Sequence, residues 1–405
     1  MYIPRHLEKV VQRAAAMFPS VIVTGARQVG KTTLLRRTWP DLPYVTLDDP
    51  IQLQAATLEP GTFFRANTPP LVLDEVQYAP ELFVQIKMLS DERGEKGLFF
   101  LSGSQQFRLM QGVSESLAGR IGVLTLGGLS RREVDGVDFH EPFLPVEAYL
   151  KARVAGAKTH SYADVWQAIH RGSMPEMQRE EMDWGLFYGA YVRTYIERDV
   201  RELAKVGDEV RFMKFMTALA AATGNLLNYA NIARDIGVSQ PTVERWVSIL
   251  VSSNVVYLLQ PYHSNVLKRA LKTPKVYFLD TGLAAYLTRW NTPEVLESGA
   301  AAGAFFETYV VSEVVKSYTN AGLEPPLYFY RDKEQNEIDL LIHENGTLYP
   351  IEIKKNADPS KNDVRAFGLL DETGGAKRGE GGVVCLYDKV APLGERDRVI
   401  PLGYI

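Results

Sequence analysis

The segment GARQVGKT, from Gly25 to Thr32, has the residue types and spacing of a loop that binds phosphate groups. Its glycines let backbone N–H groups turn toward phosphate oxygens, Lys31 supplies a positive charge, and the hydroxyl of Thr32 is a ligand for Mg²⁺. An apolar strand precedes the loop, and the helix that follows adds the positive end of its dipole. The alternative is a chance glycine-rich turn. We predict that the loop binds ATP and Mg²⁺ through Gly25, Ala26, Arg27, Gln28, Val29, Gly30, Lys31, Thr32 and Thr33.

Two adjacent carboxylates follow the apolar run PLVL. Asp74 ends this predicted strand, where it would bind Mg²⁺ together with Thr32, directly or through water. Glu75 comes next and is expected to orient and polarise the attacking water, as a second carboxylate does in nucleotide hydrolases. The alternative is a strand that simply ends in acidic turn residues.

A polar residue at the end of the strand in GLFFLSGSQQF is expected between these carboxylates and the γ-phosphate. Ser104 is the first candidate for this position and Ser102 the second. An ordinary turn opened by serine and glycine explains the same residues.

One arginine farther along the chain is a candidate for contact with the γ-phosphate of a neighbouring subunit. Arg120 in SLAGRIGVL precedes the fifth predicted strand, and an arginine in this role can raise the rate about 10³–10⁵-fold. A surface ion pair is the alternative for Arg120. On a later predicted helix, Arg193, Arg198 and Arg201 are weaker candidates for a different role, a second sensor of the nucleotide. The neighbouring Glu197 and Asp199 favour simple helix ion pairs there.

Another group of polar residues lies in NEIDLLIHENGTLYPIEIKK, which predicts a hairpin with a two-residue Asn-Gly turn. Counting outward from the turn places Asp339 opposite Glu352 and Glu337 opposite Lys354. Opposite residues share a face, with Cβ atoms about 5 Å apart, so Asp339, Glu352 and Lys354 are expected to converge. The other face, toward a core, is expected to hold Ile338, Leu340, Ile342, Ile351 and Ile353.

Carboxylates at that separation repel each other unless a cation lies between them. A hard divalent ion, Mg²⁺ or Mn²⁺, suits oxygen ligands, and Glu307 on the preceding helix would complete a metal set with Asp339 and Glu352. Lys354 would then orient or activate a water molecule. The alternative is a polar sheet face crossed by ion pairs.

The segment YANIARDIGVSQPTVERWVSILVSSNVV has the pattern of a helix-turn-helix, with Gly237 at the turn and Ser239 capping the second helix. Two predicted strands then surround NVLKRALKTP and form a basic wing. The expected DNA contacts are Gln240, Thr242, Arg245, Lys268, Arg269, Lys272 and Lys275. Because Glu244 on the exposed face would repel phosphate, the alternative is a winged helix used for protein packing.

Four successive parts of the chain must position these residues. Residues 1–135 alternate β-rich and helical stretches, which predicts an α/β ATPase core with a parallel sheet and helices on both faces. Residues 136–225 are expected to form a helical lid or linker, 226–292 a winged helix-turn-helix, and 293–405 a mixed α/β domain that carries the acidic hairpin.

Composition sets limits on the functional class. The 405 residues are 46% hydrophobic and 23% charged, as in soluble globular proteins, and no apolar run approaches the roughly 18 residues of a membrane span. The net charge of −4 argues mildly against a protein that only coats nucleic acid. One cysteine, Cys385, excludes an internal disulfide and a cysteine-based metal site, and no secretory signal opens the sequence. These features favour a cytoplasmic protein without membrane contact.

The motifs GARQVGKT, LVLDEVQ, FLSGS and SLAGR, in this order, resemble those of the AAA-type ATPases of prokaryotes. They are similar, more narrowly, to a branch with a C-terminal domain of unknown function, and the likeness covers most of the chain, including YIERDV and FLDTGLAAYL. The resemblance implies an ASCE sheet, in which the strand of the third motif lies between the P-loop strand and the Walker B strand. It also implies hydrolysis at the subunit interfaces of a homo-oligomer, often a hexameric ring.

The acidic hairpin and the helix before it resemble the PD-(D/E)XK nucleases, which implies a restriction-endonuclease-like domain. The Asp of that family falls on Asp339, its ExK on Glu352 and Lys354, and its helical Glu on Glu307. The proline that opens the family's motif is absent here.

Three functions are compatible with these patterns. The first is an oligomeric ATP-driven machine that moves, remodels or cuts DNA, with branched or single-stranded DNA as the partner. The second is an ATP-operated switch in a protein assembly, with the C-terminal half as a scaffold, which the acidic net charge supports. A small-molecule kinase is the weakest reading, because Glu75 suits attack by water better than transfer to a second substrate.

Overall fold

The computed structural model describes residues 2–104, 116–194, 209–263, 273–371 and 376–405. The first part of the chain alternates strands and helices. Its strands are β1 (Ser20–Thr24), β2 (Tyr44–Thr46), β3 (Leu71–Asp74), β4 (Phe99–Ser102) and β5 (Ile121–Thr125). Its helices are α1 (Leu7–Met17), α2 (Lys31–Thr38), α3 (Pro50–Leu58), α4 (Pro60–Ala66) and α5 (Leu82–Arg93).

The five strands form one parallel sheet in the order β2-β3-β4-β1-β5. Helices α1 and α2 pack on one face, while α3, α4 and α5 pack on the other. The predicted α/β fold with a parallel sheet is confirmed, and β4 lies between the loop strand β1 and the acidic strand β3, as the resemblance implied. Since the carboxyl ends of parallel strands meet at one edge, the residues that follow β1, β3 and β4 come together.

A helical part follows the first sheet. Its helices are α6 (Arg131–Val134), α7 (Glu147–Arg153), α8 (Tyr162–Arg171), α9 (Trp184–Tyr191) and α10 (Glu209–Ala221). Helix α8 starts with a capping box between Ser161 and Asp164, and it ends at Gly172, whose φ of 81° suits a residue without a side chain. Arg198 and Arg201 lie outside the described residues.

The predicted helix pair is present as α11 (Tyr229–Ile236) and α12 (Gln240–Ser252), joined through Gly237 at φ 72°. Ser239 caps α12 by accepting a hydrogen bond from the backbone of Thr242. The buried residues are the apolar ones of each helix: Ile232, Ala233, Ile236, Val243, Trp246, Val247, Ile249 and Leu250. The described strands of this part are β6 (Asn225–Leu226), β7 (Val256–Pro261) and β8 (Lys275–Phe278).

The C-terminal part has three helices and seven strands among the described residues. The helices are α13 (Thr281–Leu287), α14 (Pro293–Ser298) and α15 (Ala302–Thr319). The strands are β9 (Leu327–Arg331), β10 (Glu337–Glu344), β11 (Thr347–Ile353), β12 (Lys377–Arg378), β13 (Gly381–Cys385), β14 (Ala391–Pro392) and β15 (Asp397–Pro401). Short 3₁₀ turns cover Val76–Tyr78, Pro175–Gln178, Arg365–Asp371 and Leu402–Tyr404. Within the described ranges, no helix combines the length and apolarity needed to cross a membrane.

The strands after residue 224 form a second sheet in the order β14-β15-β13-β11-β10-β9-β7-β8-β6, with β12 beside β11. The parallel pairing of β7 with β9, Gln260 opposite Tyr328 and Pro261 opposite Phe329, joins the hairpin that follows α12 to the C-terminal strands. Strands from the two predicted segments, 226–292 and 293–405, therefore share one sheet.

The β10–β11 hairpin has the predicted register, from Leu340 opposite Ile351 to Glu344 opposite Thr347, closed by an Asn-Gly turn with positive φ at both residues. A bulge in the pairing of β10 with β9 lies between Ile338 and Leu341. The expectation that Ile338 shares a face with Leu340 is therefore wrong. The extra residue at the bulge places Ile338 with Leu341 in a core cluster that is separate from the cluster of Leu340.

A buried arginine near the chain start ties the first sheet to the helical part. The guanidinium of Arg5 donates to the carboxylate of Glu133 at 3.0 Å, to the carbonyl of Val29 at 2.8 Å and to the carbonyl of Gly127 at 2.8 Å. Glu133 also accepts from the backbone N–H groups of His6 and Ser130. One ion pair thus fixes the N-terminal segment, the glycine-rich loop and the exit from β5.

We expect Glu133→Gln to lower the free energy of unfolding by about 3–5 kcal/mol, because it leaves a buried guanidinium without its carboxylate. Burial acts to raise the pKa of Glu133, but Arg5 and the Ser130 and His6 amides outweigh it and hold the pKa below its usual range. Stability from this group is therefore present above the unfolded pKa and lost as pH falls through the folded pKa. Chemical denaturation of both proteins across pH 3–7 measures both effects.

The matched control is Glu181→Gln, which removes an exposed partner of Arg179 and should leave the unfolding midpoint nearly unchanged. Equal stability of Glu133→Gln and the parent protein at pH 7 would contradict the structural role of the ion pair.

Candidate functional site

The glycine-rich loop adopts the backbone conformation that its sequence requires. Gly25 has φ 141°, and a Cβ atom there would lie 2.1 Å from the carbonyl oxygen of Leu126, so that only glycine fits. Gly30 has φ 94° and immediately precedes α2. The buried ammonium of Lys31 donates to the loop's own carbonyls, Gly25 at 3.1 Å and Ala26 at 2.8 Å. A positive charge thus lies at the loop, next to the N-terminus of a helix.

Asp74, at the carboxyl end of β3, is held by three hydroxyl groups. Thr32 donates to its Oδ1 at 2.8 Å and Tyr44 to its Oδ2 at 2.9 Å, and Ser102 also donates to Oδ1. Burial and the neighbouring Asp74 raise the pKa of Tyr44 to about 12, so this hydroxyl remains a donor at neutral pH. Hydroxyl and carboxylate oxygens are the ligands that Mg²⁺ prefers, and the chemistry of Thr32 with Asp74 fits this ion.

Glu75 follows Asp74 in a left-handed conformation, φ 57° and ψ 43°, which is uncommon for a residue with a side chain. Its carboxylate accepts hydrogen bonds from the amide of Gln77 and from the hydroxyl of Ser104 at 3.3 Å. The structure therefore brings both candidate serines to the acidic pair, Ser102 to Asp74 and Ser104 to Glu75. Strained backbone of this kind is concentrated at functional sites.

Arg120 lies at the opposite end of the sheet from the glycine-rich loop, because it precedes β5. Its guanidinium makes a two-point ion pair with Asp91 at the end of α5, at 2.6 and 3.1 Å. Within one chain Arg120 thus forms the surface ion pair that was the alternative to a contact with a neighbouring γ-phosphate. Arg193 is exposed just after α9.

A cavity of about 720 Å³ borders the glycine-rich loop on the side of β5. Its walls come from Ala26 and Val29 of the loop, from the β5 edge at Val123, and from later parts of the chain at Tyr257, Asp280 and Thr319. In the order β3-β4-β1-β5, this cavity and Asp74 lie on opposite sides of β1. The cavity therefore adjoins the loop away from the acidic pair.

Four residues were predicted for the second metal site, and the three that belong to the acidic hairpin lie together. Lys354 Nζ lies 2.6 Å from Glu352 Oε1 and 4.0 Å from Asp339 Oδ2. Asp339 Oδ2 also accepts the backbone N–H of Ile353 at 2.9 Å, where the described pairing of β10 with β11 has ended. Glu352 Oε2 is buried without a hydrogen-bond partner. Burial and the charge of Asp339 raise the pKa of Glu352 to about 8.

Glu307, on α15, faces a different cation from the one expected. Its Oε1 accepts from Lys275 Nζ at 2.9 Å and from the hydroxyl of Tyr277 at 2.6 Å. Burial and the charge of Asp339 raise the pKa of Glu307 to about 7. Among the described residues, no group of three or more His, Cys, Asp or Glu side chains is assembled closely enough to hold a metal ion.

Lys275 is therefore a correction to the predicted DNA contacts. Its side chain is 4% exposed and lies between Glu307 and Glu337, so it cannot reach phosphates from an exposed wing. Of the other proposed contacts, Gln240 and Arg245 are exposed on α12, whereas Thr242 is half-buried beside Ser239. Lys268, Arg269 and Lys272 lie outside the described residues.

Sequence reasoning missed several residues of these sites. Arg5 and Tyr44 contact the loop and Asp74 from distant positions, and no local motif marks either of them. The signal for Tyr277 was available, because Lys275 and Tyr277 are two residues apart in a predicted strand and must share a face. The Gln77 amide, two residues from Glu75, was likewise within the acidic motif.

Three family models match the chain. An AAA domain covers residues 18–135, and two domains of unknown function, DUF8612 and DUF4143, cover 162–294 and 302–405. Two relatives are the uncharacterized proteins Rv2008c of Mycobacterium tuberculosis and Mb2031c of Mycobacterium bovis. Each is 31% identical over 366 residues, which cover 89% of this chain and 76% of the relative.

Among solved structures, the chain is similar to the Walker-type ATPase PABY2304 of Pyrococcus abyssi, with a TM-score of 0.42 and 15% identity over 69% of this chain and 94% of that one. The sequence relatives are matched over three quarters of their length, and the AAA domain coincides with the sheet that carries the glycine-rich loop and Asp74. The chain accordingly belongs to the AAA-type P-loop ATPases that carry a C-terminal DUF4143 domain of unknown function.

Proposed function

We propose that this chain hydrolyses ATP with Mg²⁺ at the loop Gly25–Thr32 and, as a homo-oligomer, uses the hydrolysis to move or remodel DNA. The observation that carries the proposal is the arrangement of the acidic pair at the loop. Asp74 is bonded to Thr32 of the loop, while the adjacent Glu75 is held apart by Gln77 and Ser104. One carboxylate is thus available to the metal and the other to water.

Thr32 and Asp74 are the residues that would hold Mg²⁺, since their oxygen atoms lie 2.8 Å apart beside the loop. When bound, the ion would supply positive charge that offsets the negative charge of the phosphates. Lys31 is expected to exchange its bonds with the Gly25 and Ala26 carbonyls for bonds with the same phosphates, because an ammonium binds anionic oxygen more strongly than a neutral carbonyl.

Glu75 is suited to orient water because its carboxylate is fixed by uncharged donors. The Gln77 amide and the Ser104 hydroxyl restrict its position, and neither donor neutralises its negative charge. A fixed carboxylate can accept a proton from water as the water attacks the γ-phosphate. The backbone of Glu75 is in the left-handed region, which for residues with side chains is concentrated at functional sites.

The cavity beside the loop supports a nucleotide as the ligand. A volume of about 720 Å³ accommodates a nucleoside, and it borders Ala26 and Val29 on the side of β1 away from Asp74. With the terminal phosphate near Asp74, the nucleoside leaves the loop toward this side. Its walls include residues from Gly322 to Pro325, so bound nucleotide would contact the C-terminal part as well as the sheet.

DNA as the target rests on the exposed side chains of α12. Gln240 and Arg245 are exposed on α12, in the position that a reading helix presents to a groove. Glu244 on the same surface opposes this contact, and its oxygen accepts from Gln240 at 2.8 Å. The homo-oligomer is a separate part of the proposal. Arg120 would have to break its ion pair with Asp91 before it could contact the γ-phosphate bound to a neighbouring subunit. If DNA is not the target, the exposed helix serves a nucleotide-operated protein assembly.

We expect Glu75→Gln to bind ATP with unchanged affinity and to hydrolyse it about 10²–10⁴-fold more slowly, because the variant keeps the shape but not the base. The measurement is ATP turnover by the full chain, with nucleotide affinity from a fluorescent ATP analogue. The control is Glu95→Gln, an exposed carboxylate remote from the loop, which should turn over at the parental rate.

The same assay, with single-stranded and branched DNA added and Glu75→Gln as the blank, tests the target. A several-fold rise with one form of DNA supports the DNA machine and identifies its substrate. A flat response with turnover present favours the protein switch, and full turnover by Glu75→Gln removes that residue from the hydrolytic role.

A second candidate activity is metal-dependent cleavage of a phosphodiester by the acidic hairpin. It is favoured by the convergence of Asp339, Glu352 and Lys354 and by the buried Oε2 of Glu352, which has no hydrogen-bond donor although Oε1 of the same carboxylate is paired with Lys354. Asp339 and Glu352 are the residues that would hold Mg²⁺ or Mn²⁺, with Glu307 as the third. Lys354 would orient water beside them.

For this activity, Asp339→Asn should reduce Mn²⁺-dependent DNA cleavage by roughly 10²-fold or more while leaving ATP turnover intact, since the two sites lie on different sheets. Cleavage of a labelled duplex with a single-stranded branch measures the first effect, and phosphate release measures the second. Asp388→Asn, an exposed carboxylate, is the control. Loss of both activities in Asp339→Asn would show that the sites do not act separately.

A further inference from the structure

Four carboxylates, those of Glu307, Glu337, Asp339 and Glu352, form an acidic cluster around the hairpin. A lysine from another strand supplies a positive charge to this acidic cluster. Lys275 belongs to β8, yet its Nζ lies 2.9 Å from Glu307 Oε1 and 2.5 Å from Glu337 Oε1. Tyr277, on the same face of β8, donates to the same oxygen of Glu307 at 2.6 Å. Two side chains of one strand therefore hold the glutamate that the resemblance assigns to the metal.

Lys275 remains a cation despite its burial. Its ammonium lies within ion-pair distance of two carboxylates, those of Glu307 and Glu337, which offset the cost of burying its charge. The ring of Phe329, 5.6 Å from Nζ, contributes a further favourable contact. A buried lysine surrounded in this way is held as an ion pair.

The bonded partners of Glu307 differ from those of the other two acidic residues. Asp339 and Glu352 lie near Lys354, while Glu307 is bonded to Lys275 and Tyr277. This division agrees with the absence, in the described ranges, of three acidic side chains close enough to share an ion. A divalent ion that used Glu307 would also meet the positive charge of Lys275 at the same carboxylate.

We propose that Lys275 is a positioning residue that holds Glu307 away from Asp339 and Glu352, and that its ammonium must be withdrawn before the acidic hairpin binds Mg²⁺ or Mn²⁺ with full affinity. The proposal rests on the second candidate activity, because it concerns the same site. Since β8 belongs to the hairpin that follows α12, the part of the chain assigned to DNA contact supplies the residue that keeps the acidic site from its metal.

The test is Mn²⁺ binding by the full chain in the absence of nucleotide, measured by calorimetry and by the electron spin resonance of free Mn²⁺. Lys275→Met should bind Mn²⁺ about tenfold or more tightly than the parent, which corresponds to about 1.4 kcal/mol of binding free energy. Lys275→Arg keeps the charge and should resemble the parent, as should the exposed control Lys389→Met. Adding Asp339→Asn to Lys275→Met should abolish the gain, which assigns the ion to the acidic hairpin rather than to Asp74.

Removal of the ammonium leaves Glu307 and Glu337 close together, so folding is followed by thermal unfolding with and without Mn²⁺. Lys275→Gln, which keeps a donor between the two glutamates, replaces Lys275→Met if the latter does not fold. A rise in Tm with Mn²⁺ that depends on Asp339 supports the proposal.

Two results overturn it, and they are distinct. If the parent already binds Mn²⁺ through Asp339 as tightly as Lys275→Met, the positioning role is wrong and the metal site stands. If no Lys275 variant binds Mn²⁺ through Asp339, the metal site proposed for the hairpin is wrong, and the role of Lys275 falls with it.

Discussion

The buried ion pair between Arg5 and Glu133 is the constraint on which the nucleotide site depends. A glycine-rich loop has few side chains to hold it, so its shape must come from bonds to its backbone. Arg5 provides such a bond at the Val29 carbonyl and binds the Gly127 and Gly128 carbonyls at the exit from β5. Because Glu133 also caps α6 through Ser130, the start of the helical part is fixed to the same point. The loop and the helices that follow the sheet are therefore positioned together.

A second anchor, Asp280, joins the helical part to the second sheet. Its carboxylate accepts from the backbone of Ser173 and the hydroxyl of Tyr188, each at 2.7 Å, and it caps α13 through Leu283. The motif FLDTGLAAYL therefore forms a structural junction between these two parts. The buried helix α15 makes a similar connection, since Lys316 donates to the Leu129 carbonyl and Glu313 accepts from the Arg131 backbone. One core accordingly extends from α1 to the last strands.

Local rules predicted what local geometry decides. The loop, the five parallel strands and the hairpin register followed from spacing, because each depends on neighbouring residues and on turn chemistry. The bulge at Ile338 was not predictable from β10 alone, since it is defined by the pairing with β9. Lys275 was misplaced for the same reason. The long-range pairing of β7 with β9 and the packing of α15 on β8 bring Lys275 beside Glu307 and Glu337, and neither contact leaves a signal in the local sequence. The sequence could not decide between a γ-phosphate contact and a surface ion pair for Arg120. Its partner in the ion pair is Asp91, which lies on α5, far from Arg120 in the sequence.

The two acidic sites differ in the charge of the groups that hold them, and this difference determines what each can bind. Thr32, Ser102 and Tyr44 hold Asp74 through neutral hydroxyls, so its negative charge is retained for a cation that arrives with the nucleotide. At the second site the holding groups are the ammoniums of Lys275 and Lys354. Two positive charges already offset part of the charge on the carboxylates there, and an entering divalent ion must compete with them. A carboxylate held by neutral donors is prepared for a metal, whereas one held by lysine is already paired. Similar acidic residues at strand ends therefore give a site open to Mg²⁺ beside the loop and a partly neutralised site in the C-terminal sheet.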